Sequence, residues 1–200
     1  MTNIQTKIFG GRPALAGKAP TGDDELLARQ ANEDSAAFAE LYRRHLSRVY
    51  RYLLVRLGTV QDAQDVTSQT FLAALEGIAS YRGKGSFAAW LLGIARRKAA
   101  YHFRQRREML PLEGAASELY PDPSPEELVA ERLRLEQVAQ ALRTLAPERG
   151  EALALQLFGG LSATEVAQVM GKNEAAVKML THRAVHDLQE RLAPTTETQR

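Results

Sequence analysis

LSATEVAQVMGKNEAAVKMLTHRAVHDLQERL, residues 161–192, decides the fold. Ser162 followed three residues later by Glu165 has the spacing of a capping box, in which each side chain satisfies a free backbone N–H at a helix start. Gly171 supplies the left-handed stop that ends that helix, and Asn173 caps the next one. Val166, Val169 and Met170 of the first helix face Val177, Leu180 (or Met179), Ala184 and Leu188 of the second at helical spacing. Lys172, Glu174, Ala175, Lys178, Thr181, His182 and Arg183 then lie on or near the free side. Small residues at the start of a helix allow close approach, cations suit phosphate and polar groups suit base edges, so this face fits a DNA groove. The same pattern also suits the last two helices of a plain bundle, and the rest of the chain must decide between them.

Upstream, Leu128, Leu133, Leu135, Val138 and Leu142 mark a helix, Pro147 opens a short one that runs to Phe158, and Gly159 and Gly160 stop it. Before that lies LPLEGAASELYPDPSPEE, whose four prolines and several acids exclude a continuous helix and read as a linker. Residues 109–131 carry six acids and no base. On the other side of the linker the signs invert: RRKAAYHFRQRR, residues 96–107, holds six Arg or Lys and no acid. The net charge of +2 therefore hides a strongly uneven distribution.

The N-terminal half is also helical. Phe38, Leu41, Tyr42, Leu46, Val49, Tyr50, Leu53 and Leu57 recur at three and four, and Gly58 closes the run. Thr59 and Asp62 suggest another capping box, opening a helix with Ala63, Val66, Thr70, Phe71, Ala74 and Ile78 inward and Asp62, Asp65 and Gln69 outward. SYRGKGS breaks it. Ser86 caps a further helix to about Arg107, with Phe87, Leu91, Ile94 and Phe103 inward, roughly 33 Å long at 1.5 Å per residue. Its basic block suits phosphate, although cations near a helix C-terminus are also favoured by the helix dipole. Tyr81, Phe87, Trp90, Tyr101 and Phe103 interleave with these charges, as in surfaces that stack unpaired bases, or they belong to the core. Trp90 and Phe87 read as mainly packed and Tyr81 as accessible.

Composition removes several function classes. With no cysteine the chain has no disulfide, thiol redox centre or cysteine-ligated zinc of its own, which fits a reducing cytoplasm. The longest apolar run, FAAWLLGIA at 87–95, is far short of the roughly 20 residues of a membrane span. Residues 1–23 lack the apolar core of a signal peptide and read as a loose tail, as do 193–200. His182 and His186 stand four apart without an evident third metal ligand, and Asp62 with Asp65 lacks the pocket and partners of an acid–base pair. RGKGS lacks the spacing of a phosphate-binding loop. No catalytic, metal or cofactor site is expected.

The order DAQDVTSQTF (62–71), SYRGKGSFAAWLLGIARRK (80–98), a Pro/acid linker and LSATEVAQVMGKNEAAVKMLTHRA (161–184) resembles the extracytoplasmic-function (ECF) group of bacterial RNA polymerase sigma factors. The resemblance covers residues 24–192. It implies an all-α chain of two small helical domains, sigma region 2 over 24–108 and sigma region 4 with its helix-turn-helix over 126–192, joined by a flexible linker at 109–125. It further implies that Asp62, Gln64, Asp65, Val66, Gln69, Thr70 and Phe71 form or support the face that docks on the clamp helices of the largest subunit of core RNA polymerase, whose flap is a second contact. Tyr81, Arg82, Lys84 and Ser86 would hold a flipped base of the minus-ten promoter element, with Arg96, Arg97, Lys98, Tyr101, His102 and Arg104 on the melted strand. Lys172, Asn173, Glu174, Ala175, Lys178, Thr181, His182 and Arg183 would face the minus-35 element in the major groove. An anti-sigma factor is an expected partner. Arg97 and Tyr101 stand where the family often has Asn and Asp, and Met179 and Leu180 where it often has Ser and Arg, so the promoter sequence does not follow from the resemblance. The alternative is a helix-turn-helix regulator that binds operators without polymerase, which would leave the basic aromatic block of the N-terminal half with no nucleic acid to meet.

Overall fold

The structure, a computed structural model, describes residues 21–83, 85–108 and 137–192, and all regular structure among them is helical. The linker at 109–125 and residues 1–20 and 193–200 lie outside the described residues. Helix α1 spans Thr21–Gln30, so it begins inside the stretch expected to be tail. Helix α2 spans Ser35–Leu57, starting where the Asp34 carboxylate accepts the Ala36 N–H and ending at Gly58, whose φ of 85° lies in the left-handed region. A side chain at Gly58 would be strained by that φ, and the Arg143 guanidinium lying over the position would have to swing aside. Helix α3 spans Val60–Gly77 and is capped by Thr59, and a single 3-10 turn, Ile78–Ser80, follows it. The Thr59 hydroxyl accepts the Asp62 N–H and donates to the Asp62 carboxylate at 2.7 Å.

Helix α4 spans Phe87–Glu108, with the Ala89 N–H donating to Ser86 Oγ at its start. After the linker, residues 137–143 form α5, Pro147–Leu157 form α6, Ala163–Met170 form α7 and Glu174–Leu192 form α8. The capping box at α7 is complete, Gly171 takes a φ of 65°, and the Ala176 N–H donates to Asn173 Oδ1 at 2.7 Å.

Packing follows the apolar spacing in α3, where Ala63, Val66, Thr70, Phe71 and Ala74 are buried, as is Ile78 in the 3-10 turn that follows. Helix α2 departs from a one-sided stripe. Tyr52, Leu53, Leu54 and Val55 are buried in succession, which requires neighbours on nearly every side. Helices α1, α3 and α4 pack against it, and so does α6 from beyond the linker. Each fully buried aliphatic or aromatic side chain contributes about 1.5–3 kcal/mol.

The two helical groups therefore lie directly against one another. The Tyr52 hydroxyl donates to Glu151 Oε1 at 2.6 Å, and the Arg56 guanidinium sits 2.8 Å from Glu151 Oε2. Burial, and then the neighbouring Glu151 carboxylate, holds the Tyr52 hydroxyl well above its ordinary range, so it stays a donor. At Gly159 a Cβ would come within 2.9 Å of the Leu92 side chain, a close approach of α4 to the end of α6. Phe103, expected inward, is instead 41% exposed, because α4 has outrun the helices that could cover it.

Candidate nucleic-acid interface

The loop between the 3-10 turn and α4 is held by its own aromatic residues. The Tyr81 hydroxyl donates to the Gly85 carbonyl at 2.9 Å, while its ring meets Phe87 edge-on at 5.6 Å and lies 5.4 Å from Trp90. Gly83 and Gly85 have φ values of 67° and 84°, which allow the chain to turn tightly enough for that closure. Tyr81 is thus half-buried where it was expected to be accessible. Burial, with the carboxylates of Glu25 and Asp24 adding to it, pushes its hydroxyl up to about 12. Arg82 is exposed, and Lys84 lies outside the described residues. Ser86 caps α4 and also donates its hydroxyl to the Glu165 carboxylate at the start of α7.

Beneath the loop Phe87 is buried, 5.3 Å from the ring of His45. His45 Nε2 lies 2.8 Å from Asp24 Oδ2, and Arg44 reaches Asp24 Oδ1 at 3.0 Å, so α1 is tied to α2 by one buried carboxylate. Burial pushes the His45 imidazole below its ordinary range; Asp24 offsets part of this, while Arg48 and Arg44 add to it. The fold thus favours neutral His45, whereas the unfolded chain protonates near pH 6.5. This contribution to stability is complete above about pH 6.5 and falls as the pH drops, by at most about 1.4 kcal/mol per pH unit. Urea midpoints at about pH 7.5 and 5.5 should fall more for the wild type than for His45→Gln. An equal fall in both would remove His45 as the cause.

Along α4 the basic residues divide by surroundings. Arg97 is exposed and Lys98 half-buried beside a cleft of about 280 Å³, lined also by Ala73, Gly77, Ser80, Trp90 and Ile94. Tyr101 is exposed, with Gln105 donating to its hydroxyl and the Arg104 guanidinium 6.0 Å from its ring centroid. A cleft floored by an indole and rimmed by two cations can take an aromatic ring and the charge attached to it. Arg96 turns the other way and donates to the Val169 carbonyl of α7 at 3.3 Å. His102 Nε2 faces Asp62 Oδ1 of α3 at 3.4 Å.

On α3, Asp65 and Gln69 are exposed and Asp62 and Gln64 partly so, whereas Val66, Thr70 and Phe71 are buried. These three support the outer face. The Thr70 hydroxyl is spent on the Val66 carbonyl, and Phe71 packs edge-on against Tyr42 with centroids 4.6 Å apart. The sequence reading missed Leu72 and Leu75, which are 58% and 46% exposed on the same helix. Their signal was available as apolar residues lying off the buried stripe.

In the helix-turn-helix, Asn173, Ala175, Lys178, His182 and Arg183 are exposed and Lys172 and Glu174 partly so. Thr181, expected on the free side, is buried, and its hydroxyl donates to the Val177 carbonyl at 3.0 Å. Leu180 turns inward against the core and Met179 outward. The hydrogen bond from Lys178, and then that from Thr164, lowers the Glu174 carboxyl. Lys178 and Lys172 rest on Glu174 and Glu148 at 2.6 and 2.8 Å, exposed pairs weak enough to be exchanged for phosphate. His186 lies 3.5 Å from Glu190, and the adjoining Asp187 carboxylate is held by Arg149 at 2.5 Å.

Comparison with known proteins bears on both groups of helices. The family model for sigma-70 region 2 matches residues 41–109 and that for sigma-70 region 4 matches residues 135–188. The ECF RNA polymerase sigma factor SigD of Mycobacterium tuberculosis is 31% identical over 176 residues, covering 84% of this chain and 83% of SigD. The ECF RNA polymerase sigma factor BldN of Streptomyces coelicolor is 40% identical over 169 residues, covering 82% of this chain; the match spans only 63% of BldN. Among solved structures, CnrH in complex with the cytosolic domain of CnrY superposes with a TM-score of 0.68 at 28% identity, over 84% of this chain and 96% of CnrH.

Proposed function

Because the chain belongs to the ECF RNA polymerase sigma factors, we propose that it joins core RNA polymerase and directs transcription from a defined promoter, melting the minus-ten element with residues 24–108 and reading the minus-35 element with residues 126–192. The observation that carries this reading is the pair of cationic faces, one on each helical group. Arg97 and Lys98 rim a cleft lined by the Trp90 indole on α4, with Tyr101 and Arg104 exposed further along the same helix, and Lys178, His182 and Arg183 line the outer side of α8. Neither face has to bind tightly by itself, because joining two weak readers through one chain makes the second contact intramolecular.

The acid-and-leucine face of α3 is the surface we assign to the polymerase clamp helices, with the flap as a second contact. The chain itself supplies no catalytic step; nucleotide addition belongs to the polymerase. No described helix is long and apolar enough to cross a membrane, and the reading places the protein in the cytoplasm. CnrH is solved with the cytosolic domain of CnrY, and an anti-sigma factor of similar role is the controlling partner we expect. Run-off transcription with purified core polymerase on fragments of the source genome tests the whole reading. A discrete start site dependent on the chain supports it; transcripts indistinguishable from core polymerase alone would sink it.

The α8 face gives a sharper expectation. Replacing both Lys178 and Arg183 by alanine should weaken promoter binding on every sequence alike and make the log–log salt dependence shallower by about two units. Fluorescence anisotropy of a promoter duplex with reconstituted holoenzyme, titrated with salt, measures it. An unchanged slope would take these two cations off the phosphates.

A further inference from the structure

Helix α8 carries a large apolar side chain at the middle of its outer face. Its buried residues, Val177, Thr181, Ala184 and Leu188, form one stripe turned toward α6 and α7. At 3.6 residues per turn, the side chains aimed most directly away from that stripe are Met179, in the second turn, and His186, two turns further on. His186 lies beside Glu190 at 3.5 Å and far from the helix N-terminus, the end that contacts base edges in a helix-turn-helix. Met179 is near that end and 52% exposed, and among the described residues it is the only large hydrophobic of α8 so exposed. Lys178, His182 and Arg183 stand exposed around it, and Ala175, one turn earlier, leaves room for close approach. A rim of cations matches the phosphates on either side of a groove and leaves the centre of the face to meet the bases.

The polar groups near that centre are already engaged within the protein. Asn173 Oδ1 accepts the Ala176 N–H at 2.7 Å. Glu174 Oε1 lies 2.6 Å from Lys178 Nζ, and its Oε2 accepts the Thr164 hydroxyl at 2.7 Å. The Thr181 hydroxyl is spent on the Val177 and Lys178 carbonyls at 3.0 and 3.1 Å. The side chain that stands furthest forward therefore has only a thioether, a weak acceptor, to offer a base edge. In the major groove the one apolar group on any base is the C5 methyl of thymine. Methionine, unbranched and polarizable, can settle on such a methyl without a directional bond.

We propose that Met179 is a specificity-determining residue, which selects a thymine inside the minus-35 element by packing its side chain on the C5 methyl while Lys178 and Arg183 hold the flanking phosphates. The proposal rests on the assignment of α8 to the minus-35 major groove. It gives that reading a chemical preference: the base pair in front of Met179 is chosen by a methyl group and not by a hydrogen-bond pattern.

The test uses reconstituted holoenzyme and the promoter duplex located by run-off transcription. Each thymine of the minus-35 element, on either strand, is replaced in turn by uracil, which pairs identically and lacks only the methyl group. Fluorescence anisotropy then gives the affinity of the parent chain and of Met179→Ala for every duplex. At one or two positions the parent should lose about fourfold, the effect of uncovering one methyl group. Met179→Ala should bind the thymine and uracil duplexes alike at those positions, closing a double-mutant cycle between side chain and methyl. Met179→Leu should keep much of the difference. Because the side chain is exposed, helix content and Tm should match the parent in both variants. Uracil that costs the parent nothing at any position overturns the proposal. So does a cost that persists in Met179→Ala, since another group then reads the methyl. Weaker capture of core polymerase by Met179→Ala, with no effect of uracil, also overturns it and assigns the residue to a protein interface. In each of these cases the promoter reading survives on a discrete start site and on the shallower salt slope of the Lys178 and Arg183 double variant; with no start site, both fall together.

Discussion

Phe87→Ala should lower the unfolding free energy by about 3–5 kcal/mol, the usual cost of emptying a fully buried aromatic site. Phe87 is 1% exposed and stands where three features meet: the rings of Tyr81 and Trp90 pack on it from the loop and α4, and His45 reaches it from α2. The cavity would open directly beneath the loop, whose shape depends on Tyr81 resting against that ring while its hydroxyl holds Gly85. Stability and promoter melting should therefore fall together. Urea unfolding followed by helix signal gives the first, and permanganate reactivity of the melted strand in reconstituted holoenzyme gives the second. Phe87→Leu, which keeps most of the volume, should recover much of the stability and less of the melting, because an aliphatic side chain does not offer Tyr81 an aromatic edge. A Phe87→Ala protein as stable as the parent would contradict the packing described above.

Asp65→Arg is expected to cut the affinity for core polymerase by about a hundredfold, in line with the several kcal/mol lost when like charges are brought together across an interface. The side chain is exposed on α3 beside Gln69 and the half-exposed Asp62, with Leu72 two turns further along. An arginine there fits the helix without touching the core, so melting temperature should stay within a degree or two while binding collapses. Asp65→Asn should lie between the two. Pull-down of core polymerase from lysate, quantified against the parent chain, separates these outcomes. Full binding by the arginine variant would move the polymerase-docking surface away from α3.

What the sequence made legible was local in origin. Ser86, Ser162 and Asn173 cap helices because a short polar side chain at a helix start reaches its own backbone, and Gly58 and Gly171 end helices because a left-handed residue is needed there. The buried stripe of α3 was equally plain, since one flank of that helix meets the core and the other does not. Contacts between distant segments were not legible. Helix α1 brings only Leu27 and Ala28 to the core and is also held through Asp24, which meets His45 and Arg44 some twenty residues later, a pairing no periodicity announces. Thr181 looked like a polar contact on an outer face, yet a threonine can bury itself by donating to the carbonyl four residues back. The run Tyr52-Leu53-Leu54-Val55 was the one overlooked clue to the joining of the two halves, for a helix with only one covered side rarely carries four such residues in a row.

Glu165 carries an obligation that extends beyond either helix it touches. One of its oxygens receives the Ser162 N–H and hydroxyl, which freezes the side chain in a single rotamer, and the other is thereby aimed at Ser86. Reaching across costs no extra loss of rotational freedom, because folding of α7 has already met that cost. The two roles are consequently inseparable in heredity: drift at position 165 cannot loosen the grip between the halves without also fraying the first turn of the helix-turn-helix.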